Sequence, residues 1–382
     1  MMGEDRRRGG IVGLLSEARR LTSIMIDLSI YSVAFGDRLA ALETLMLEDD
    51  VDEIIREAVG LLSLAVRGPG HTGLAKGIVE LAAAFDRASD AAGDLAQLVL
   101  RGYPPHKYVT AAAICCGEVV AALKAEKPLD RLDIVDVLIL RRGGRALLSP
   151  EDFSIREGDV LIVRGSLEAL LEAAESLGAK PPKPPADVET LLADDTARGV
   201  ARAKVLARAG FDASLYSLLA GDAGLARTVL DMEEMLDNDI LSLMEDIVAQ
   251  GLTGPETLTL ILFLRSLEDF SDAAARAAGL VETELPGRVV EGTIGDPWES
   301  YLALDYMGER RRLSELGLDE EGLVIVAAKV GGKWIIPFLE DPEISRGDTV
   351  LAKIYSGQAD TLKELVESRG FVVKGRRLEG RP

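Results

Sequence analysis

At 382 residues, with 48% hydrophobic and 28% charged side chains, the chain is long enough for about two to four packed domains and too apolar to be disordered. Its formal net charge of −21 argues against a nucleic-acid polymer as partner, since that surface needs a basic footprint. Such a charge suits a protein that binds cations, or one that keeps local basic pockets in an acidic setting. The only cysteines, Cys115 and Cys116, are adjacent, which is poor geometry for a bridge, so they read as small buried residues in a reducing compartment. One asparagine (Asn238) and three glutamines match a thermophile's avoidance of thermolabile amides, although a GC-rich genome gives the same depletion.

From the amino end, Met1 to Gly10 is polar and arginine-rich, and the short run Ile11 to Leu15 does not make a secretory leader. Residues 11–105 read as three antiparallel helices of about 25 residues each. In the third, Leu81, Phe85, Ala88, Ala92, Leu95 and Val99 fall at three- and four-residue steps and define one apolar face. Gly68-Pro69-Gly70 and Gly102-Tyr103-Pro104-Pro105 are the breakers. Residues 108–178 change character. Val137 to Leu140, a Gly143-Gly144 turn, Ala146 to Leu148 and Val160 to Val163 read as short strands with hairpin punctuation, followed by a helix capped by Ser166 and running to Leu177.

Residues 179–186 hold Lys180-Pro181-Pro182-Lys183-Pro184-Pro185, a stiff extended linker. A second bundle is expected over 187–283 and a second α+β unit over 284–376, with a frayed tail from Gly375. The most apolar run, Leu258 to Leu264, is far below the roughly 20 residues that span a bilayer. A soluble cytoplasmic protein is therefore expected, peripheral to a membrane at most.

The second half restates the first. Arg156-Glu157-Gly158-Asp159-Val160-Leu161-Ile162-Val163 returns as Ser345-Arg346-Gly347-Asp348-Thr349-Val350-Leu351-Ala352. Gly143-Gly144 returns as Gly331-Gly332, and Phe85 to Asp90 as Leu267 to Asp272. Three markers at one near-constant spacing indicate a tandem duplication. The acidic helices resemble the PhoU family, whose signature is Glu/Asp-x-x-x-Asp on each of two helices. The Arg141-Arg142-Gly143-Gly144 hairpin and the Glu157-Gly158-Asp159-Val160-Leu161-Ile162-Val163 strand resemble the TrkA-C (RCK-C) domain. Together they are similar to an archaeal-type PhoU–TrkA-C family, here doubled over almost the whole chain. The expected fold is α+β: two PhoU-like antiparallel bundles alternating with two small TrkA-C units in a pseudo-two-fold repeat.

Glu48-x-x-x-Asp52 and Asp86-x-x-x-Asp90, with Asp94 one turn on, place carboxylates along shared helix faces opposite the apolar stripe. Exposed oxygen ligands on adjacent helices suit Mg²⁺, Ca²⁺ or iron. The resemblance to PhoU carries a metal-binding role onto Glu48, Asp52, Asp86 and Asp90, with Mg, Ca, Zn and Fe not distinguished. In the second copy Glu268 and Asp272 keep the pattern, but Arg276 stands where Asp94 stood. Aligning Met235 with Glu48 leaves Asp237 and Asp239 as the nearby acids, so a structural or weakly binding second copy is expected. A solvated acidic face is the plainer alternative.

No P-loop, dinucleotide fingerprint or nucleophile elbow is present, and the only histidines, His71 and His106, lie in loops away from any Glu-x-x-His pair. No enzyme is expected. In TrkA-C pairs the crevice between subunits can hold a small regulatory ligand. Arg141, Arg142 and Arg145 around one turn, and Lys329 and Lys333 around the other, suit an anion such as a nucleotide. Gly158-Asp159 and Gly347-Asp348 read as turn chemistry.

The resemblance thus implies a cytoplasmic regulator that binds a metal or small anion and acts on a membrane transporter for potassium, another cation or phosphate. The tandem copies would pair internally as a pseudo-dimer, leaving room for a further homodimer. The competing expectations are a metal-storage or metal-dependent protein and a purely structural adaptor.

Overall fold

The computed structural model describes residues 10–66, 72–148, 153–181, 192–283, 285, 287–295, 299–337, 340–355 and 366–374. The Gly68-Pro69-Gly70 breaker, His71, most of the proline linker and the tail from Gly375 lie outside the described residues. In chain order the first half contains α1 (Gly10–Phe35), α2 (Arg38–Ala65), α3 (Thr72–Leu100), α4 (Lys107–Cys115), β1 (Val119–Lys124), β2 (Asp136–Arg142), β3 (Arg145–Leu148), β4 (Val160–Gly165) and α5 (Leu167–Leu177). The second half contains α6 (Asp195–Ala220), α7 (Ala223–Ala249), α8 (Pro255–Ala278), α9 (Gly287–Ile294), β5 (Glu299–Tyr306), β6 (Arg311–Arg312), β7 (Val324–Val330), β8 (Lys333–Ile335), β9 (Glu343–Ile344), β10 (Thr349–Tyr355) and β11 (Phe371–Lys374). No helix among the described residues is long and apolar enough to cross a membrane.

The chain divides into two compact units, and each draws on both halves of the sequence. A helical unit comprises residues 1–113 and 187–296, and a sheet unit comprises residues 114–186 and 297–382. Two boundaries differ from those expected from sequence. Most of α4, assigned to the 108–178 unit, stays with the helices, where Thr110 Oγ1 donates to the Ala34 carbonyl at 2.7 Å. All of α9, assigned to the 284–376 unit, also stays there, because the helix carrying buried Val289, Val290 and Ile294 packs on α1 and α6. Short helices after a Pro- or Gly-rich break carry too little periodicity to declare which core they serve.

In the helical unit α1, α2 and α3 pack pairwise, α6, α7 and α8 do the same, and α3 packs on α8 to join the two bundles. Local chemistry recurs between the copies. Asp37 caps α2 by accepting from Leu39 and Ala40 N–H, and Asp222 caps α7 by accepting from Leu225 N–H at 2.9 Å. Ser29 and Ser32 donate back to the carbonyls of Ile26 and Ser29, and Ser214 and Ser217 donate to those of Phe211 and Ser214.

The two lead helices are enclosed on every side. Leu21 through Ala34 of α1 and Ala203 through Leu215 of α6 are buried without a break. A helix buried all round is usually apolar all round, but these carry charges, which must therefore be paired inside. Arg208 donates from Nε to Asp27 Oδ1 at 2.8 Å and from Nη2 to Asp27 Oδ2 at 3.1 Å, and its Nη1 lies 2.7 Å from Asp212.

In the sheet unit the first module orders its strands β1-β4-β2-β3, and the second orders them β11-β5-β10-β7-β8. The two orders match strand for strand, with β11 added outside β5. Even the bulge repeats at equivalent positions, with Leu138 skipped in the β2–β4 register and Val326 in the β7–β10 register. Both glycines of each hairpin turn have positive φ: 55° and 76° at Gly143-Gly144, 57° and 85° at Gly331-Gly332. Among the described residues the first module follows β4 with α5 and has no strand corresponding to β11.

The two modules meet around buried Lys353, Tyr355, Glu118 and Arg164. Lys353 Nζ donates to Glu118 Oε1 at 2.9 Å, Tyr355 hydrogen-bonds the same carboxylate, and Arg164 lies over the Tyr355 ring at 5.6 Å while pairing with Asp136 at 2.9 Å. Burial, and then the Glu118 charge, hold the Tyr355 phenol well above its ordinary range.

Arg208→Ala leaves Asp27 and Asp212 as buried carboxylates without this cation. The expected loss of unfolding free energy is about 3–5 kcal/mol, read from denaturant titration of the full chain. A loss below about 1 kcal/mol would show that the pair does not need its burial.

Candidate functional site: two carboxylate clusters on the paired bundles

The expected acids of the first half do converge. Glu48 and Asp52 on α2 face Asp86, Asp90 and Asp94 on α3, as their mutual charge effects record. Gly93 on α3 leaves the space that the Glu48 carboxylate of α2 occupies. A Cβ built there would lie 2.2 Å from Glu48 Oε2, so only glycine lets the Glu48 carboxylate rest on the α3 backbone.

Partial burial raises Glu48 first, and the charges of Asp90, Asp52, Asp94 and Asp49 add to it, bringing the carboxyl up to about 7. Burial and the neighbouring Asp86, Asp52, Asp94 and Asp269 bring Asp90 up to about 6. Asp86 is raised by burial and by Asp52. Carboxylates this crowded resist simultaneous ionisation.

The second half contains a matching cluster that the expected alignment does not reveal. Glu233 and Asp237 on α7 and Asp272 on α8 each offer an oxygen, and these atoms all lie within 4.8 Å of one another. Glu233, not Met235, is the counterpart of Glu48. The helix caps Asp37 and Asp222 align Glu48 with Glu233 and Asp52 with Asp237. The signal is present as Glu233-Glu234-Met235-Leu236-Asp237, a Glu-x-x-x-Asp like the first. Burial, then the charge of Asp237 and the hydrogen bond and charge of Asp272, push Glu233 up to about 7. Asp237 is raised by burial and by Asp272, and its Oδ1 is buried without a hydrogen-bond partner. Asp239 stands apart, paired with Arg202 at 2.9 Å.

Two expected features of that half are corrected. Arg276 does not sit on Asp272; it reaches across to Glu80 Oε2 on α3 at 2.8 Å. The cation at Asp272 is Arg87, arriving from the first half, which also donates to Asp269 Oδ1 at 2.8 Å. Glu268 is held by Arg265 at 2.7 Å rather than joining Asp272, although burial still raises its carboxyl.

The basic hairpins are less open to an anion than their composition implied. The Arg142 fork donates to Asp159 Oδ1 at 2.8 Å and to the Ser154 carbonyl at 2.7 Å, while Asp159 also accepts from Arg156 N–H. Asp348 repeats the turn role by accepting from Ser345 and Gly331 N–H. Lys329 lies 5.4 Å over the Trp334 ring, and Lys333 ends the same hairpin in exposed positions, as Arg145 does in the other. Arg141 is half-buried in β2.

His106 accepts from Tyr108 N–H through Nδ1 at 3.2 Å, a helix-start role, and burial lowers its pKa. Cys115 and Cys116 form no disulfide and are half-buried at the end of α4.

The donor set is all oxygen. Hard cations that prefer carboxylate oxygens fit it, and soft thiolate-seeking ions do not.

No protein-family model matches the chain, and no curated protein matches it. Among solved structures, it is similar to PhoU from Pseudomonas aeruginosa at 14% identity and a TM-score of 0.40, covering 75% of this chain and 96% of that one. It is also similar to the phosphate transport system regulatory protein PhoU from Streptococcus pneumoniae at 10% identity and a TM-score of 0.42, covering 75% and 94%. Likenesses this distant carry no inference about ligand or partner.

Two measurements test the site electrostatics. Glu48, Glu233 and Asp90 have folded pKa values raised above their unfolded values, so the folded state binds more protons across that interval. Stability from these groups is therefore complete below about pH 4 and lost as pH rises through about 6 to 7. Other groups titrating alike in wild type and variant cancel, so the unfolding temperature of Glu48→Gln/Glu233→Gln should fall less than wild type between pH 5 and pH 8. Equal falls would contradict the clustering.

Gly93→Ala should keep or raise thermal stability, since alanine favours a helix interior by about 1 kcal/mol. It should also displace Glu48 and return that carboxyl toward its ordinary titration, read by carboxyl-carbon NMR. An unchanged Glu48 titration would contradict the packing.

Proposed function

We propose that the chain is a non-catalytic regulator whose helical unit binds hard divalent cations at the two carboxylate clusters and signals to a membrane transporter for phosphate or a cation. The observation that carries the binding reading is the convergence of Glu233, Asp237 and Asp272 within 4.8 Å; the first-half acids Glu48, Asp52 and Asp90 lie near enough to feel one another's charge but are not gathered within that distance. A cation held there would supply positive charge to carboxylates that otherwise repel each other. It would favour whichever packing of α2 on α3, and of α7 on α8, brings them closest. The transporter link rests on the sequence resemblance to PhoU and TrkA-C proteins, in which such acidic helices and small sheet modules occur together.

The chain's own residues account for the rest of the reading. The acids sit where α2 packs on α3 and α7 on α8, and α3 packs on α8 in turn, so a change in their spacing would have a packed route to both bundles. The sheet unit, with its modules paired through Glu118 and Lys353, is the second candidate input, for a small anion. Arg142 is committed to Asp159, so an anion there would rely on Arg141, Arg145, Lys329 and Lys333.

Titration calorimetry of Mg²⁺, Ca²⁺ and Mn²⁺ into metal-stripped protein tests this directly. Binding should weaken at least about tenfold in Glu233→Gln/Asp237→Asn and in Glu48→Gln/Asp90→Asn, which is about 1.4 kcal/mol or more. Heats identical in wild type and both variants would refute the cation sites and leave the structural-adaptor reading standing.

A further inference from the structure

Among the described residues three arginines, Arg87, Arg208 and Arg276, make ion pairs that tie the first-half bundle to the second. Arg87 on α3 donates to Asp269 at 2.8 Å and also to Asp272 on α8. Arg208 on α6 grips Asp27 on α1, with both groups 3% exposed. Arg276 on α8 pairs with Glu80 on α3 at 2.8 Å.

The repeat says what each of these positions would face in another pairing. Arg87 and Asp269 are the same position in the two halves, since Phe85 to Asp90 returns as Leu267 to Asp272. Equivalent residues that touch each other must lie at the internal two-fold axis. Two first halves brought together in this geometry would set Arg87 against Arg87, and two second halves would set Asp269 against Asp269. The equivalent of Arg208 is Ser23, so a pair of first halves would leave each buried Asp27 without its guanidinium. The equivalent of Arg276 is Asp94, so the same pair would turn Asp94 toward Glu80. At the axis and at Glu80 these exchanges replace attraction by repulsion, and at the core they take this guanidinium from Asp27; only the reach of Arg87 toward Asp272 keeps an acid opposite it, Asp90.

We infer that the copies of the helical unit have become an interlocking pair, in which Arg87–Asp269, Arg208–Asp27 and Glu80–Arg276 make each half a surface for the other half and a poor surface for itself. The partner this face fits is the complementary half of the same sequence. The contact at the axis is the key, because it alone is charge-opposed between equivalent positions. It also has a directional consequence. The guanidinium at the axis leans toward the second-half acids at Asp272, so exchanging the two residues should lean it toward the equivalent Asp90 instead. This inference is independent of cation binding.

The test is a thermal-unfolding cycle on the full chain with R87D, D269R and R87D/D269R. R87D sets a third carboxylate against Asp269 and Asp272, and D269R sets a second guanidinium against Arg87, so each should lower the melting temperature by several degrees. The exchanged double variant should recover at least half of the summed loss, because the axis contact is restored with its ends reversed. If either reversal fails to fold, the neutral cycle R87M, D269L and R87M/D269L decides, with the double loss expected to be smaller than the sum. In whichever cycle decides, strictly additive losses would overturn the inference. A double variant less stable than both singles would do so as well.

Discussion

One guanidinium sets the terms for the helical unit. Arg208 lies in a helix with no exposed face and satisfies Asp27 on the opposite lead helix and Asp212 on its own. A charge in that position is costly unless it is paired, and the buried carboxylates gain from Arg208 as it gains from them. The lead helices of the two copies are therefore tied to each other by this pair, alongside the α3–α8 contact that joins the outer helices.

Burial first, and then repulsion among Glu48, Asp52, Asp86, Asp90 and Asp94, favour proton uptake, with Glu48 brought to about 7 and Asp90 to about 6. In the second half Glu233 takes the same role with Asp237 and Asp272. The two clusters are alike in composition but not in surroundings, because Arg87 from the first half reaches only the second-half acids. A protein with duplicated sites and a guanidinium reaching one of them need not use both in the same way.

Much of this was legible in the sequence, for identifiable reasons. The hairpins at Gly143-Gly144 and Gly331-Gly332, the Ser166 cap and the apolar stripe of α3 are short-range signals that need no partner to be read. The first-half acids were found because a four-residue step on one helix is also short-range. What failed was alignment across a change in repeat spacing between α7 and α8. It slid Met235 into the place of Glu233, whereas Arg276 aligns correctly with Asp94 and simply reaches across to Glu80 of the other half. The assembly was hidden too. Nothing local in Arg87, Arg208 or Glu118 shows that each pairs with a residue roughly half the chain away, nor that the bundles join one compact unit and the sheets another.

The central claim is that crowded, partly protonated carboxylates form cation sites. The direct measurement is proton release on adding Mg²⁺ or Mn²⁺, from calorimetry in two buffers of different ionisation heat across pH 5.5 to 8.5. A cation that enters these clusters must expel the protons on Glu48 and Glu233, so release should be clear near pH 6 and fade above about pH 8. Binding without proton release at pH 6, or no binding at any pH, would contradict the account.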